Sequence, residues 1–143
     1  MEQLPQIEKI FIRLEVNQQQ LLYIMLSKSG AVNRAGDGSP EDAANMFMGN
    51  SDEPLLDDWL ELLPEDILTM AGRYTFPDPQ GDVCNLTLAL EGPEVNTGFE
   101  FVYGSQSDGP PEDIIQLVEA AMEITDEWYE NQKFSRQQKR KKA

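Results

Sequence analysis

Histidine is absent from this chain of 143 residues, and Cys84 is its single cysteine. One chain therefore cannot build a Ser-His-Asp triad, a Cys-His pair or a histidine-ligated metal site. It also cannot form an intramolecular disulfide or a thiolate-rich zinc site. We predict no metal and no cofactor, and we favour a non-catalytic protein over an enzyme.

Basic residues are scarce in most of the chain. Residues 1–132 contain all 26 acidic residues but only five basic ones, a net charge of −21. The last eleven residues, 133–143, contain six basic residues and no acidic residue, a net charge of +6. We predict one acidic domain over residues 1–132 and a basic tail over residues 133–143, whose polar composition indicates disorder.

Long apolar runs are also missing, since no run approaches the roughly 20 residues that a membrane-spanning helix needs. The first ten residues, "MEQLPQIEKI", do not show a basic segment followed by an apolar one, as a signal peptide would. We therefore expect a cytoplasmic protein without membrane association. The hydrophobic content of 40% is sufficient for a packed core in a single domain.

Alternating apolar residues predict strands in four segments. "KIFIRLEV" (9–16) alternates, and "QLLYIMLS" (20–27) is apolar on both faces, so the short connection between them predicts an antiparallel hairpin. "VCNLTLALEG" (83–92) and the run from Thr97 to Tyr103 predict a second hairpin with an aromatic inner face.

Helical signals occupy the segments between and after these hairpins. "SPEDAANMFMG" (39–49) begins with a capping serine, a proline and two acidic residues, and "SDEPLLDDWLELL" (51–63) has helical apolar spacing. "PEDILTMAG" (64–72) reads as a short separate helical turn, and residues 108–132 give the strongest helical pattern. We predict an α+β fold of order β-β-α-α-β-β-α, in which two antiparallel hairpins form a four-stranded sheet with the helices on one face.

The densest group of carboxylates follows Ser51 and is the leading candidate site. Its spacing lacks the ligand rhythm of a calcium loop, and magnesium prefers fewer protein carboxylates, so we do not predict a metal there. A solvated helical face is the alternative interpretation. We predict that this acidic cluster binds a basic protein partner through Asp52, Glu53, Asp57, Asp58 and Glu61.

Three apolar residues lie within the same segment, Leu55, Leu56 and Trp59. The sequence is compatible with either a core position or an exposed interface for them. It does not predict the oligomeric state.

Two other hypotheses use the rare basic residues. A small ligand or substrate could bind in the loop "SGAVNRAGDG", through Asn33, Arg34 and Asp37 together with Arg73, although its glycine spacing matches no phosphate-binding motif. The basic tail could neutralise nucleic-acid phosphates, but a domain of net charge −21 beside it would repel the same polyanion. We therefore expect at most weak nucleic-acid association through the tail.

Overall fold

The structure, a computed structural model, describes residues 6–76, 80–106 and 109–141, with side chains up to residue 136 in the last range. Within these residues the chain forms seven strands and two α-helices. The strands are β1 (Lys9–Val16), β2 (Gln19–Ser27), β3 (Ala31–Ala35), β4 (Met46–Asn50), β5 (Gly72–Thr75), β6 (Val83–Glu91) and β7 (Asn96–Gly104). The helices are α1 (Leu55–Leu60) and α2 (Glu112–Lys141), and 3-10 turns occupy Pro40–Asp42 and Ile67–Met70.

The predicted four-stranded sheet of order β-β-α-α-β-β-α is wrong. The strands form one mixed sheet of order β4-β3-β2-β1-β6-β7-β5, antiparallel throughout except for the parallel pair β5 and β7. The structure contains both expected hairpins, β1 with β2 and β6 with β7, and β1 pairs directly with β6 to join them. Three further strands lie where we expected loops or a helix.

The segment 39–49 shows why local signals were misleading. Ser39 makes no side-chain hydrogen bond to the following turn, and its hydroxyl donates to Asp37. The Asp42 carboxylate accepts hydrogen bonds from the side chains of Asn45 and Tyr129, so tertiary contacts rather than the N–H groups of a helix start occupy it. The helical signal yields only the turn Pro40–Asp42, and the residues after it extend to pair with β3.

Both helices pack on the same face of the sheet and form one core with it. Strand alternation turns Ile10, Ile12, Leu22 and Ile24 towards the helices, and all four are buried. Trp59 of α1 is fully buried, and its indole N–H donates to the carbonyl of Leu117 in α2 at 2.9 Å. This buried hydrogen bond fixes the short helix α1 against the long helix α2.

The helix α2 is longer than the sequence pattern indicates, because its backbone remains helical through Lys141. Most of the basic segment 133–143, for which we expected disorder, therefore continues the helix, and residues 142 and 143 lie outside the described residues. The division into an acidic domain and a basic tail stays a prediction. Across the described ranges, we find no helix with the length and apolar character required to cross a bilayer.

Two glycines in the loop after β3 provide a test of this backbone. Gly36 and Gly38 both have positive φ, 74° and 94°. A Cβ at Gly36 would overlap the carbonyl of Leu21, whereas nothing lies within 4 Å of a Cβ at Gly38. We expect Gly38→Ala to lower the free energy of unfolding by about 1 kcal/mol through backbone strain alone. Gly36→Ala should cost about 3 kcal/mol or more, because β2 must also move.

Urea unfolding of the two variants measures this difference. Equal effects would contradict the close approach of Gly36 to β2.

Candidate functional site

The side chain of Arg34 on β3 is completely buried. Because residue 34 points to the helical face of the sheet, its guanidinium lies against α2. It donates hydrogen bonds to the Thr125 hydroxyl at 2.8 Å, to the Met122 carbonyl at 3.2 Å and to the Gly36 carbonyl at 2.9 Å. An ion pair with Asp126 at 2.9 Å compensates its charge. One of its nitrogens, Nη2, has no hydrogen-bond partner among the described residues.

The ring of Tyr129 on α2 contacts two cations. The guanidinium of Arg34 is 4.4 Å from the ring centroid, and the ammonium of Lys133 is 4.2 Å from it. Such contacts between cations and aromatic rings are worth about 0.5–2 kcal/mol, with the larger values for desolvated sites. The Tyr129 hydroxyl donates to the Asp42 carboxylate at 2.6 Å and accepts from the Gly36 N–H at 3.1 Å.

Asp42 and Lys133 complete this network with an ion pair at 3.0 Å. Burial raises the pKa of Asp42, but hydrogen bonds from Tyr129, Asn45 and Lys133 outweigh it and hold the pKa below its ordinary value. Burial opposes the charge of Lys133, yet Asp42 and Glu130 raise the pKa of the lysine overall. The pKa of Tyr129 is raised, first by burial and then by the Asp42 carboxylate. We call Arg34, Asp42, Thr125, Asp126, Tyr129 and Lys133 the α2 anchor.

The geometry of the α2 anchor is that of a structural connection. Its cations already face carboxylates, carbonyls and aromatic rings of the same chain, and Arg34 is closed off from solvent. It joins β3 and the loop directly after it to the second half of α2, about 90 positions further along the chain. Within the described part of the chain, Arg34 is therefore surrounded by protein groups and does not reach the surface.

The structure does not bring the residues of the ligand-binding alternative together. Asn33 lies on the opposite face of β3 from Arg34, since successive strand residues alternate. Asp37 is exposed and accepts a hydrogen bond from the Ser39 N–H at 2.9 Å. Arg73 lies on β5, five strands from β3 or about 24 Å across the sheet. Its exposed side chain pairs with Glu100 at 3.1 Å.

The acidic cluster has a different environment. All five of its carboxylate residues are exposed, and two of them, Asp57 and Asp58, lie on α1. Within the described parts of the chain, none of the five forms an ion pair, although four basic residues pair with carboxylates elsewhere. The members of this cluster are Asp52, Glu53, Asp57, Asp58 and Glu61.

Two clefts open beside the acidic cluster. One has a volume of about 240 Å³ and is lined by Asp52, Glu53 and Asp57, together with Lys28 and the turn between β2 and β3. The other has a volume of about 350 Å³ and lies between Asn50–Glu53 and α2, where Glu127 adds a further carboxylate. We call the second cleft the acidic groove.

The apolar residues of the same segment belong to the core. Leu55 and Leu56 are buried, as is Trp59, so the open question of core or interface is resolved in favour of the core. Their burial fixes the orientation of α1 and leaves its acidic residues on the outer face. The carboxylates predicted to bind a partner therefore project from a segment that is anchored in the core.

Two further features concern metal binding and thiol chemistry. Across the described ranges, no three acidic or cysteine side chains are close enough together to hold a metal ion. Cys84 is buried, and burial followed by the nearby Asp82 raises the pKa of its thiol, so the reactive thiolate is disfavoured.

Sequence reasoning missed most of the α2 anchor. The scarcity of basic residues points to Arg34, but the sequence predicts Tyr129 only as one residue of the helical pattern over 108–132. In the sequence, Asp42 is one of two acidic residues at a predicted helix start, and Lys133 belongs to the predicted basic tail. Comparison with protein-family models, with curated proteins and with solved structures found no match for this chain, so function rests on the residues themselves.

The Tyr129 hydroxyl offers a direct test of the α2 anchor. Tyr129→Phe removes a hydrogen bond to a carboxylate, and we expect it to lower the free energy of unfolding by about 1.5–3 kcal/mol. Tyr74→Phe is the matched control, since its hydroxyl donates to the Met70 carbonyl at 2.6 Å on the surface. The control should cost about 1 kcal/mol or less. Denaturant unfolding measures both variants, and equal losses would contradict the buried role of Tyr129.

The pKa shifts of the anchor predict how stability changes with pH. The lowered pKa of Asp42 contributes stability that is present above its unfolded pKa, 3.8, and that is lost as pH falls below that value. The raised pKa of Lys133 contributes stability that is present below 10.5 and lost as pH rises through the higher folded pKa. Acidification should therefore lower the free energy of unfolding of Asp42→Asn less than that of the wild type. A rise in pH should also destabilise Asp42→Asn less than the wild type, because Lys133 no longer has the Asp42 carboxylate as a partner.

Thermal unfolding at a series of pH values, with the wild type and Asp42→Asn in parallel, measures these slopes. Parallel curves for the two proteins at both extremes would show that Asp42 and Lys133 are not coupled to folding.

Proposed function

We propose that this protein is a small, cytoplasmic, non-catalytic interaction module, of the inhibitor, immunity or adaptor type, whose acidic cluster binds a basic protein partner. The observation that carries the proposal is the absence of ion pairs at five exposed neighbouring carboxylates in the described structure. The basic residues with described ion pairs are used elsewhere, in the α2 anchor and on the sheet.

The acidic cluster is unfavourable for the isolated protein. Like charges four residues apart on a helical face, as at Asp57 and Glu61, cost about 0.2–0.5 kcal/mol per pair. A basic partner would remove this repulsion, and the single-signed field would speed its approach. Burial of Leu55, Leu56 and Trp59 holds the segment that carries the carboxylates in place. This segment therefore does not have to become ordered when the partner binds.

Neutralising the acidic cluster is the decisive experiment. Its five residues are replaced by their amides, Asp by Asn and Glu by Gln, and the variant is compared with the wild type by affinity capture from host lysate at low and high salt. We expect the wild type to retain a discrete basic protein that salt releases, and the amide variant to lose it. The amide variant removes this repulsion but also the first-turn carboxylates of α1, Asp57 and Asp58, which stabilise the start of the helix, so its free energy of unfolding should lie within about 1 kcal/mol of the wild type.

A control variant with the same change in net charge separates the cluster from the overall charge. Five exposed glutamates outside the cluster are replaced by Gln: Glu8, Glu41, Glu94, Glu119 and Glu123. Purified partner is then titrated into each protein by calorimetry. Equal loss of affinity in both variants would indicate general electrostatics, and no salt-released basic partner at all would contradict the proposal.

A further inference from the structure

The strand β4 has a free outer edge. It is the end strand of the sheet, and no described strand pairs with its outer side. Two hydrogen bonds flank the paired residues of β3 and β4: Gly36 N–H donates to Asn45 O at 3.0 Å, and Ser51 N–H donates to Gly30 O at 2.9 Å. They show which residues of β4 direct their N–H and C=O groups towards β3. Since bonded and non-bonded pairs alternate in an antiparallel ladder, the N–H and C=O of Met46, Met48 and Asn50 face outwards.

Side chains of α2 cover the two ends of this edge. The Trp128 indole N–H donates to the Asn50 carbonyl at 3.0 Å, and the Arg136 guanidinium donates to the Met46 carbonyl at 3.3 Å. Gly49 makes room for Trp128, because a Cβ there would lie 3.1 Å from the indole ring. At the centre, the N–H and C=O of Met48 have no hydrogen-bond partner among the described residues.

The side chains along this edge are also accessible. Met48 is 70% exposed and Met46 is 45% exposed, and both project from the face of the sheet that the helices do not cover. An exposed strand edge with apolar side chains is a template for the addition of another strand, and native proteins commonly block such edges with charge or proline. β4 contains neither.

The acidic groove lies at the end of β4 and indicates what kind of strand would fit. Three carboxylates line it, those of Asp52, Glu53 and Glu127, and none forms an ion pair within the described part of the chain. The groove adjoins Asn50, the last residue of β4, so a strand added along β4 would end beside it, next to Trp128. A lysine or arginine near that end of the strand would meet opposite charge.

A second copy of this chain fits the edge less well. The net charge of the whole chain is −15, and a net charge this far from zero opposes the approach of a second copy.

We propose that the outer edge of β4 accepts an extended segment of the basic partner as an eighth strand, with a lysine or arginine of that segment in the acidic groove. This inference rests on the proposed function and specifies how the partner binds. The two hydrogen bonds at Met48 form without displacing a covering side chain, and alternate side chains of the added strand lie beside Met46 and Met48.

The test uses a fluorescent peptide of about eight residues, with alternating Val and Thr and two arginines at one end. A second peptide has the same sequence but carries N-methyl groups through the Val-Thr part, which removes its backbone donors and keeps its charge. We expect the methylated peptide to bind wild-type protein about tenfold more weakly or worse in fluorescence polarisation. Glu53→Gln with Glu127→Gln should weaken binding of the unmodified peptide and reduce its salt dependence.

Protein variants at Met48 test the same edge from the other side. Met48→Pro removes an outward N–H, a position where an edge strand tolerates proline, and should weaken the unmodified peptide about tenfold. Met48→Ala keeps the N–H and is the matched control, with a smaller loss. Circular dichroism confirms the fold of both variants, and the peptide comparison on wild-type protein remains decisive if the proline variant unfolds.

Each other outcome overturns the inference. Equal, salt-sensitive binding of both peptides would leave charge as the sole attraction, so strand addition would fail while the proposed function stands. If neither peptide binds but a basic partner is still captured, strand addition at β4 is rejected and the proposed function stands. A concentration-dependent dimer in sedimentation that Met48→Pro abolishes would assign the edge to a second copy.

Discussion

A buried positive charge on β3 is the constraint on which the arrangement of this protein depends. Leaving a guanidinium such as that of Arg34 without compensation inside a protein costs several kcal/mol. The second half of α2 supplies the compensation through Thr125, Asp126 and the Met122 carbonyl. These contacts have direction, so they determine both how far along β3 the helix lies and which of its faces is turned inwards.

The position of α2 in turn determines the surface on both sides of it. With Arg34 and Tyr129 in place, Trp128 and Arg136 reach the edge of β4, and Glu127 faces the segment that leaves β4. The acidic cluster, the acidic groove and the free edge therefore belong to one continuous region. Their relation depends on a connection between residues about 90 positions apart in the chain, such as Tyr129 and Asp42.

Strands with strong alternation were predictable from the sequence, and so was the helix that begins near residue 112. β1, β2, β6 and β7 carry enough apolar residues in period to be recognised one at a time. β3 and β4 were not predictable in this way. An inward arginine breaks the apolar alternation of β3. The proline and two acidic residues that precede β4 give the segment 39–49 a helical signal, which the long-range pairing of β4 with β3 overrides.

The carboxylates of the candidate site could be predicted from the sequence, but the strand edge beside them could not. The density of carboxylates from Asp52 to Glu61 is a property of composition, and burial of Leu55, Leu56 and Trp59 turns those carboxylates outwards. The free edge of β4 left no signal, because an edge is a property of the sheet order rather than of the strand.

The sequence by itself determined the absence of histidine chemistry, the charge separation between residues 1–132 and the tail, and the recognisable hairpins. These follow from composition and from periods of a few residues. Tertiary structure alone decided that Arg34 is buried, that β4 is a strand at the edge of the sheet, and that α2 extends beside it. Each of these depends on partners distant in sequence, whose combined hydrogen bonds and burial outweigh local preferences of about 1 kcal/mol or less per residue.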